Sequence, residues 1–183
     1  MSNIKKPLFL VCLVLFTVTS VGAVENNYKS YLYNSGDLKP IDSELKVESG
    51  DKAPGFLLPS VRGPKISLEY YRGRKNVVLS FVPAAWTPVC SDQWPGYAIT
   101  KTFFDEHNAV LLGITVDNIP TLYSWIQQMG TLWFDVLSDF WPHGETALKY
   151  GLLRSDGTTE RALIFIDKAG IIRHIHVGDI NQR

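Results

Sequence analysis

The chain is poor in cysteine. Its 183 residues include only two, Cys12 and Cys90, and Cys12 lies in a segment that is typical of a removable targeting sequence. We therefore expect the working protein to carry one thiol with no partner for an internal disulfide. This excludes the paired cross-links that exported domains usually contain. A lone thiol at the end of an apolar run is then either buried filling or a nucleophile.

Other absences narrow the function. Removing the lysines of the targeting segment leaves 16 basic against 18 acidic side chains, a net charge of −2, and no basic stripe is present. Nucleic acid is therefore not an expected partner. No glycine-rich phosphate loop follows any predicted strand, which argues against a nucleotide-binding fold. His174 and His176 share one face of a predicted strand, but no third ligand is identifiable, so no metal or other cofactor is predicted.

Residues 1–23 have the features of a secretory signal peptide. Lys5 and Lys6 form a basic start, an almost wholly apolar run follows from Leu8 to Val18, and Val21-Gly22-Ala23 offers small residues for cleavage. The apolar run is shorter than the ~20 residues needed to span a bilayer, which disfavours a membrane anchor. We expect an exported protein, periplasmic or secreted.

The rest of the chain divides into two parts. Residues 24–45 are polar with scattered tyrosines, which indicates a linker or a loosely attached N-terminal arm. Residues 46–183 suit one domain in which strands and helices alternate. Five apolar runs predict strands: Val77 to Val82, Val110 to Val116, Phe134 to Leu137, Arg161 to Asp167 and Ile171 to Val177.

The elements between these strands define the fold class. Leu122, Trp125, Ile126 and Met129 recur at helical spacing, and a second helix is predicted over Tyr97 to His107. The turn at Lys168-Ala169-Gly170 joins the last two strands in a hairpin. The pattern predicts an α/β domain with a central mixed sheet flanked by helices and a C-terminal β-hairpin.

Cys90 lies where a loop after the first long strand enters a helix. A thiol attacks only as its thiolate, which is a minor species at neutral pH. Free backbone N–H groups at a helix start favour an anion, and Thr87 can point its hydroxyl at the sulfur. Pro83 and Pro88 stiffen the loop. These features favour the nucleophile over filling.

The residues around Cys90 carry a family resemblance. Pro83, Thr87 and Cys90, in the pattern Pro-x-x-x-Thr-x-x-Cys, resemble the active-site signature of the peroxiredoxins. The resemblance extends in order over roughly Lys46 to Asp179. It includes four further segments: Gly50 to Pro59, Ile66 to Gly73, Leu112 to Asp117 and Arg161 to Asp167. The chain is most similar to the bacterioferritin-comigratory (peroxiredoxin Q) group and to the one-cysteine alkyl hydroperoxide reductase-like group.

The resemblance implies a thioredoxin-like fold and a thiol peroxidase that reduces hydrogen peroxide or organic hydroperoxides. Cys90 would become a sulfenic acid, and Thr87 would bond the peroxide and the sulfur. Arg161 would hold the thiolate through its donor fork, and Pro83 would shield the sulfur from water. The implied partners are a peroxide, an external thiol reductant (a small thiol or a thioredoxin-like protein) and a second copy in a homodimer.

The sequence also departs from the family pattern. Gln93 stands where the family often has Glu, Pro95 stands where peroxiredoxin Q proteins often have a resolving cysteine, and the usual C-terminal helix is missing before Arg183. Because Pro95-Gly96 weakens a helix, we predict that the turn bearing Cys90 unwinds easily. Two alternatives stay open: a disulfide oxidoreductase, disfavoured because Gln93 occupies the second position of Cys-x-x-Cys, and a non-catalytic binding domain.

Overall fold

The structure is a computed structural model that describes residues 28–34 and 36–182. The predicted signal peptide and Cys12 lie outside the described residues. Within these ranges, no helix is both long and apolar enough to cross a membrane.

A mixed sheet of five strands forms the centre of the described domain. The strands in chain order are β1 (Leu57–Pro59), β2 (Lys65–Ser67), β3 (Asn76–Phe81), β4 (Ala109–Thr115), β5 (Asp135–Ser138), β6 (Arg161–Ile166) and β7 (Ile172–Gly178). β1 and β2 form a separate antiparallel pair, and the central sheet has the order β5-β4-β3-β6-β7. β3, β4 and β5 are parallel, whereas β6 runs antiparallel to both β3 and β7.

β3 occupies the middle of the sheet because both of its faces are apolar. Side chains alternate between the two faces of a strand, so Leu79 and Phe81 pack into one core while Val78 packs into the other. The second core contains Cys90 and Trp94. The strand is thus buried on both faces, and the loop that follows it begins with the buried residues Val82 and Pro83.

Four α-helices lie between the strands of the described residues. They are α1 (Pro88–Gly96), α2 (Lys101–Glu106), α3 (Ile119–Met129) and α4 (Glu145–Tyr150). α3 shows the expected apolar face: Leu122 and Trp125 are fully buried, Asn118 caps its start, and Gly130 ends it at a φ of 94° that few other residues adopt.

The sequence predicted the main strands, the C-terminal hairpin and α3, and the α/β class with a mixed sheet is confirmed. The predicted helix over 97–107 is wrong in detail, because a 3₁₀ turn at Tyr97–Thr100 precedes α2. The β1–β2 pair and α4 were not predicted. Each is too short to produce a clear period in the sequence.

The segment before residue 46 is packed on the domain. We call its described part, residues 28–34 and 36–45, the arm. The amide of Tyr33 donates to the carbonyl of Trp86 (2.9 Å), and the amide of Lys46 donates to the carbonyl of Tyr150 (3.1 Å). Residues 36–45 are also bound to the domain, since the amide of Asp42 donates to Glu160 Oε1 (2.6 Å) and Arg154 Nη2 donates to the carbonyl of Lys39 (2.8 Å). The expectation of a loosely attached arm is therefore wrong for these residues.

Candidate active site

Cys90 lies in the first turn of α1, and its side chain faces the interior. Thr87 is the N-cap of this helix, in an extended conformation, and Pro88 takes the first helical position, where its missing N–H is not needed. Only 1% of Cys90 is exposed, yet it contributes to the lining of a pocket of about 280 Å³. The thiol is therefore shielded from bulk solvent and belongs to the wall of a pocket that can hold a small molecule.

The loop between β3 and α1 is fixed by a carboxylate that the sequence analysis missed. Asp117, just past β4, accepts hydrogen bonds from the amide of Ala85 (2.7 Å) and from the hydroxyl of Thr115 (2.6 Å). Because β3 and β4 are parallel neighbours, their C-terminal ends lie side by side. The adjacency of the two strands was the one signal that could have identified Asp117 as a support of the loop.

Trp86 marks strain in the same loop. Its φ is 58°, a left-handed conformation that is unfavourable for a bulky residue. Surrounding contacts hold it there: its indole Nε1 donates to Gln128 Oε1 (2.8 Å), and its carbonyl accepts from the amide of Tyr33. The arm and α3 thus both stabilise the backbone that leads to Thr87.

The hydroxyl of Thr87 donates to the carbonyl of Ala84 at 2.8 Å. Thr87 has a single hydroxyl hydrogen, so this hydrogen must leave the carbonyl of Ala84 before it can be donated to a Cys90 thiolate. Burial raises the pKa of the Cys90 thiol to about 11, although the hydrogen bond with Thr87 and the charge of Arg161 act in the opposite direction. Desolvation of the buried thiolate therefore outweighs the groups that favour the charged form, and the net shift of the pKa in this conformation is upward.

Arg161 begins β6, and its guanidinium is held by residues 179–182, which we call the tail. Its Nε and Nη2 donate to the carbonyl of Asp179 (3.3 and 2.8 Å), and Nη2 also donates to the carbonyl of Gln182 (2.8 Å). Gly178 permits this approach, since a Cβ there would lie 2.5 Å from Nη2. The tail therefore orients the fork of Arg161, whose charge favours the Cys90 thiolate.

Pro83 is buried at the start of the loop and lines the same pocket as Thr87 and Cys90. The structure thus brings three of the predicted site residues to one pocket and places Arg161 within electrostatic range of the thiol. The described residues contain no group of three or more His, Cys, Asp or Glu side chains that could hold a metal ion. His174 lies on β7 beside the ring of Phe165, with centroids 5.7 Å apart.

Comparison with known proteins decides the family. A family model described as "AhpC/TSA family" matches residues 49–175, which contain the whole loop and α1. The chain belongs to this family, the peroxiredoxins. It is a peroxiredoxin-type thiol peroxidase, and its mixed α/β fold is the thioredoxin-like fold of that family.

Two relatives and one solved structure illustrate how similar this chain is to other members of the family. Alkyl hydroperoxide reductase E of Mycobacterium tuberculosis is 36% identical over 125 residues, which cover 68% of this chain and 81% of the relative. The chloroplastic 2-cysteine peroxiredoxin of Chattonella marina var. antiqua is 31% identical over 146 residues, covering 75% and 74%. The reduced 2-Cys peroxiredoxin of Plasmodium vivax has a similar structure, with a TM-score of 0.69 at 28% identity, covering 74% and 88%.

Two family positions differ in this peroxiredoxin. The amide nitrogen of Gln93 donates to the hydroxyl of Tyr97 (2.6 Å), whereas its buried Oε1 has no hydrogen-bond partner. Pro95 lies in the last turn of α1, where it supplies no backbone N–H donor, and the helix ends at the next residue, Gly96. Gln93 therefore links α1 to Tyr97 through its amide nitrogen, and its buried oxygen makes no contact with an arginine.

Trp94 anchors the turn that carries the thiol. It is fully buried, its Nε1 donates to Ser80 Oγ (3.1 Å), and its ring lies 5.0 Å from that of Trp125. Gly113 makes room for it, since a Cβ at that position would lie 2.7 Å from the indole. Unwinding α1 must withdraw this side chain from the core. The structure therefore argues against the easy unwinding predicted from Pro95 and Gly96.

We expect the Trp94→Ala variant to expose Cys90. Local opening then no longer removes a buried indole from its neighbours, and each ~1.4 kcal/mol of lost opening free energy accelerates labelling tenfold. The measurement is the rate at which a bulky maleimide modifies reduced Cys90, with an expected increase of at least about tenfold. Trp141→Ala is the matched control, because Trp141 is 82% exposed. Equal rates in wild type and Trp94→Ala would show that Trp94 does not limit opening.

Proposed function

We propose that this chain is a one-cysteine peroxidase whose oxidised thiol is recycled by an external thiol. The Cys90 thiolate attacks the terminal oxygen of a hydroperoxide. An S–O bond forms, the O–O bond breaks, and the alkoxide or hydroxide leaves and takes up a proton. The sulfur is oxidised by two electrons to a sulfenic acid, and the peroxide is reduced to an alcohol or to water.

The observation that carries this proposal is the absence of a second cysteine near Cys90. Cys90 is the one cysteine of the described residues and it is free, while Cys12, the other cysteine of the chain, lies in the predicted signal peptide. The position that would complete Cys-x-x-Cys is Gln93, which bonds Tyr97. The sulfenic acid then condenses with an outside thiol, which releases water and forms a mixed disulfide. A second outside thiol exchanges into that disulfide and restores Cys90.

The test is stoichiometric. We expect residues 24–183, treated with one equivalent of hydrogen peroxide in the presence of dimedone, to gain a single dimedone adduct at Cys90 and to form no disulfide. In a parallel sample oxidised without dimedone, addition of reduced glutathione or thioredoxin should restore one free thiol per chain. The full-length chain with Cys12→Ser is the matched control and should behave in the same way. A Cys90–Cys90 disulfide between two chains as the main product would contradict the one-cysteine cycle, whereas absence of thiol loss would contradict the peroxidase itself.

We further propose export of the protein and cleavage after Ala23. The support is the sequence pattern of residues 1–23 described above, which combines a basic start, a short apolar run and small residues. Expression of the full chain in a bacterial host, followed by fractionation and intact-mass measurement, tests the proposal. A protein that keeps residues 1–23 and stays in the cytoplasm would contradict it. A homodimer stays a prediction from the family resemblance.

A further inference from the structure

The pocket over Cys90 has an outer wall that comes from both ends of the chain. Its inner side is the loop from Pro83 to Cys90, and its outer side includes Tyr33 and Leu38 of the arm and Ile180 of the tail. These three residues lie outside residues 49–175, where the family model matches. We propose that the arm and the tail form a specificity wall that binds the apolar body of an organic hydroperoxide. The inference rests on the proposed peroxidase function.

The arm is held by a buried ion pair. Arg154 and Glu160 are 4% and 0% exposed, and Arg154 Nη1 lies 2.7 Å from Glu160 Oε2. Each also contacts the arm: Arg154 Nη2 donates to the carbonyl of Lys39 (2.8 Å), and Glu160 Oε1 accepts from the amide of Asp42 (2.6 Å). Hydrogen bonds to charged groups are stronger than those between neutral groups, so these two contacts fix the arm backbone on both sides of Pro40.

Asp42 adds a second attachment. Its Oδ2 accepts from the amide of Ser155 (3.0 Å) and also from the hydroxyl of Ser155. Ser155 belongs to the segment before β6, whose neighbours Asp156 and Thr158 also line the pocket. The arm is therefore fastened next to the rim of the pocket that it walls.

The tail closes the wall by binding the arm directly. Asn181 Oδ1 accepts from the amide of Leu38 (3.2 Å), and Asn181 Nδ2 donates to the carbonyl of the same residue (2.8 Å). The amide of Ile180 donates to the carbonyl of Pro40 (3.3 Å). We call this arrangement the clasp. It holds Leu38 and Ile180 beside each other at the pocket.

The size and chemistry of the pocket favour a substrate with an apolar body. Its volume of about 280 Å³ is several times the ~30 Å³ share of one water molecule in the liquid, so hydrogen peroxide leaves most of it unfilled. Leu38, Ile180 and Val89 offer carbon surface that a hydrogen peroxide molecule cannot use, whereas an alkyl or aryl group buries it.

The test compares two peroxides on the same variants. We expect Leu38→Ala to lower the ratio of the second-order rate constants for cumene hydroperoxide and hydrogen peroxide by about tenfold, since small changes in an apolar pocket alter discrimination by that order. Loss of the Cys90 thiol is followed under single-turnover conditions. Asn181→Ala leaves the pocket side chains intact but releases Leu38 from the clasp, so it should lower the same ratio.

Leu45→Ala is the matched control, because Leu45 lies on the same arm but is 46% exposed and is not part of the pocket lining. Its ratio should equal that of the wild type. An unchanged ratio in folded Leu38→Ala and Asn181→Ala would overturn the inference alone, as would a higher ratio, which would indicate a steric barrier. A wild-type thiol that reacts with neither peroxide would overturn the proposed function and this inference together.

Discussion

We expect the Cys90→Ser variant to consume hydrogen peroxide no faster than buffer that contains the same thiol. Cys90 is the one nucleophilic sulfur among the cysteines of the described chain, and a serine hydroxyl neither ionises near neutral pH nor forms a stable S–O product. The surrounding groups, Thr87 and Arg161, act on the sulfur and have no reaction to promote without it. Peroxide consumption in the presence of excess thiol, followed by a colorimetric peroxide assay, measures the loss.

The matched control for this variant is Ser91→Ala. Ser91 is the next residue in α1, is 1% exposed, and carries a buried Oγ without a hydrogen-bond partner. Removing an unsatisfied buried hydroxyl is close to neutral for stability, so the Ser91→Ala variant should keep wild-type activity. Circular dichroism should show both variants folded. Substantial peroxide consumption by folded Cys90→Ser would place the chemistry elsewhere in the molecule.

The features of the site that could be predicted are those that depend on residues close together in the sequence. The apolar run of β3, the prolines of the loop and the position of Cys90 at a helix start are all local patterns, and the structure places them as expected. The hairpin of β6 and β7 was predicted for the same reason, since a turn sequence separates two apolar runs.

The part that could not be predicted depends on polar contacts between distant residues. Asp117 supports the loop through the amide of Ala85, 32 residues away, and Glu160 binds the arm at Asp42, 118 residues away. A single charged side chain without periodic spacing is expected on the solvated surface, because the sequence does not show which residues the fold places beside it. The polar composition of residues 24–45 therefore predicted a loosely attached arm. In the structure, hydrogen bonds to the buried Arg154 and Glu160 hold this arm on the domain.

Because the pKa of Cys90 is raised, the polar and charged groups beside the thiol determine how much thiolate is present. Burial favours the protonated thiol, which protects it from indiscriminate reaction but lowers the thiolate fraction at neutral pH. Because the folded pKa is about 11, the thiolate fraction and the reaction rate should rise with pH through the range 7 to 9. Any group that favours the thiolate shifts this rising limb to lower pH.

Arg161 is the charged group that favours the Cys90 thiolate, so its removal should change the pH dependence of the reaction. We expect Arg161→Ala to slow the reaction of Cys90 with hydrogen peroxide by about 10- to 100-fold at pH 7, the range expected for loss of a hydrogen bond or close interaction with a charged group. Its charge lowers the pKa of Cys90, so its removal raises that pKa further and moves the rising limb of the pH–rate profile to higher pH. Stopped-flow measurement of the rate from pH 6 to 10 tests the loss of rate, and the ultraviolet absorbance of the Cys90 thiolate, followed up to its pKa, tests the shift.

Arg161→Lys separates charge from geometry. Lysine keeps the charge but lacks the fork that binds the carbonyls of Asp179 and Gln182. If Arg161 acts through its charge on the thiolate, Arg161→Lys should restore most of the pH profile. If it acts only by holding the tail, the lysine and alanine variants should lose rate equally and leave the pKa of Cys90 unchanged. Arg173→Ala is the matched control, because Arg173 lies on the adjacent strand β7 in an exposed ion pair with Asp167. An equal loss in Arg173→Ala, or an unchanged rate in Arg161→Ala, would contradict a specific role for Arg161 at the thiol.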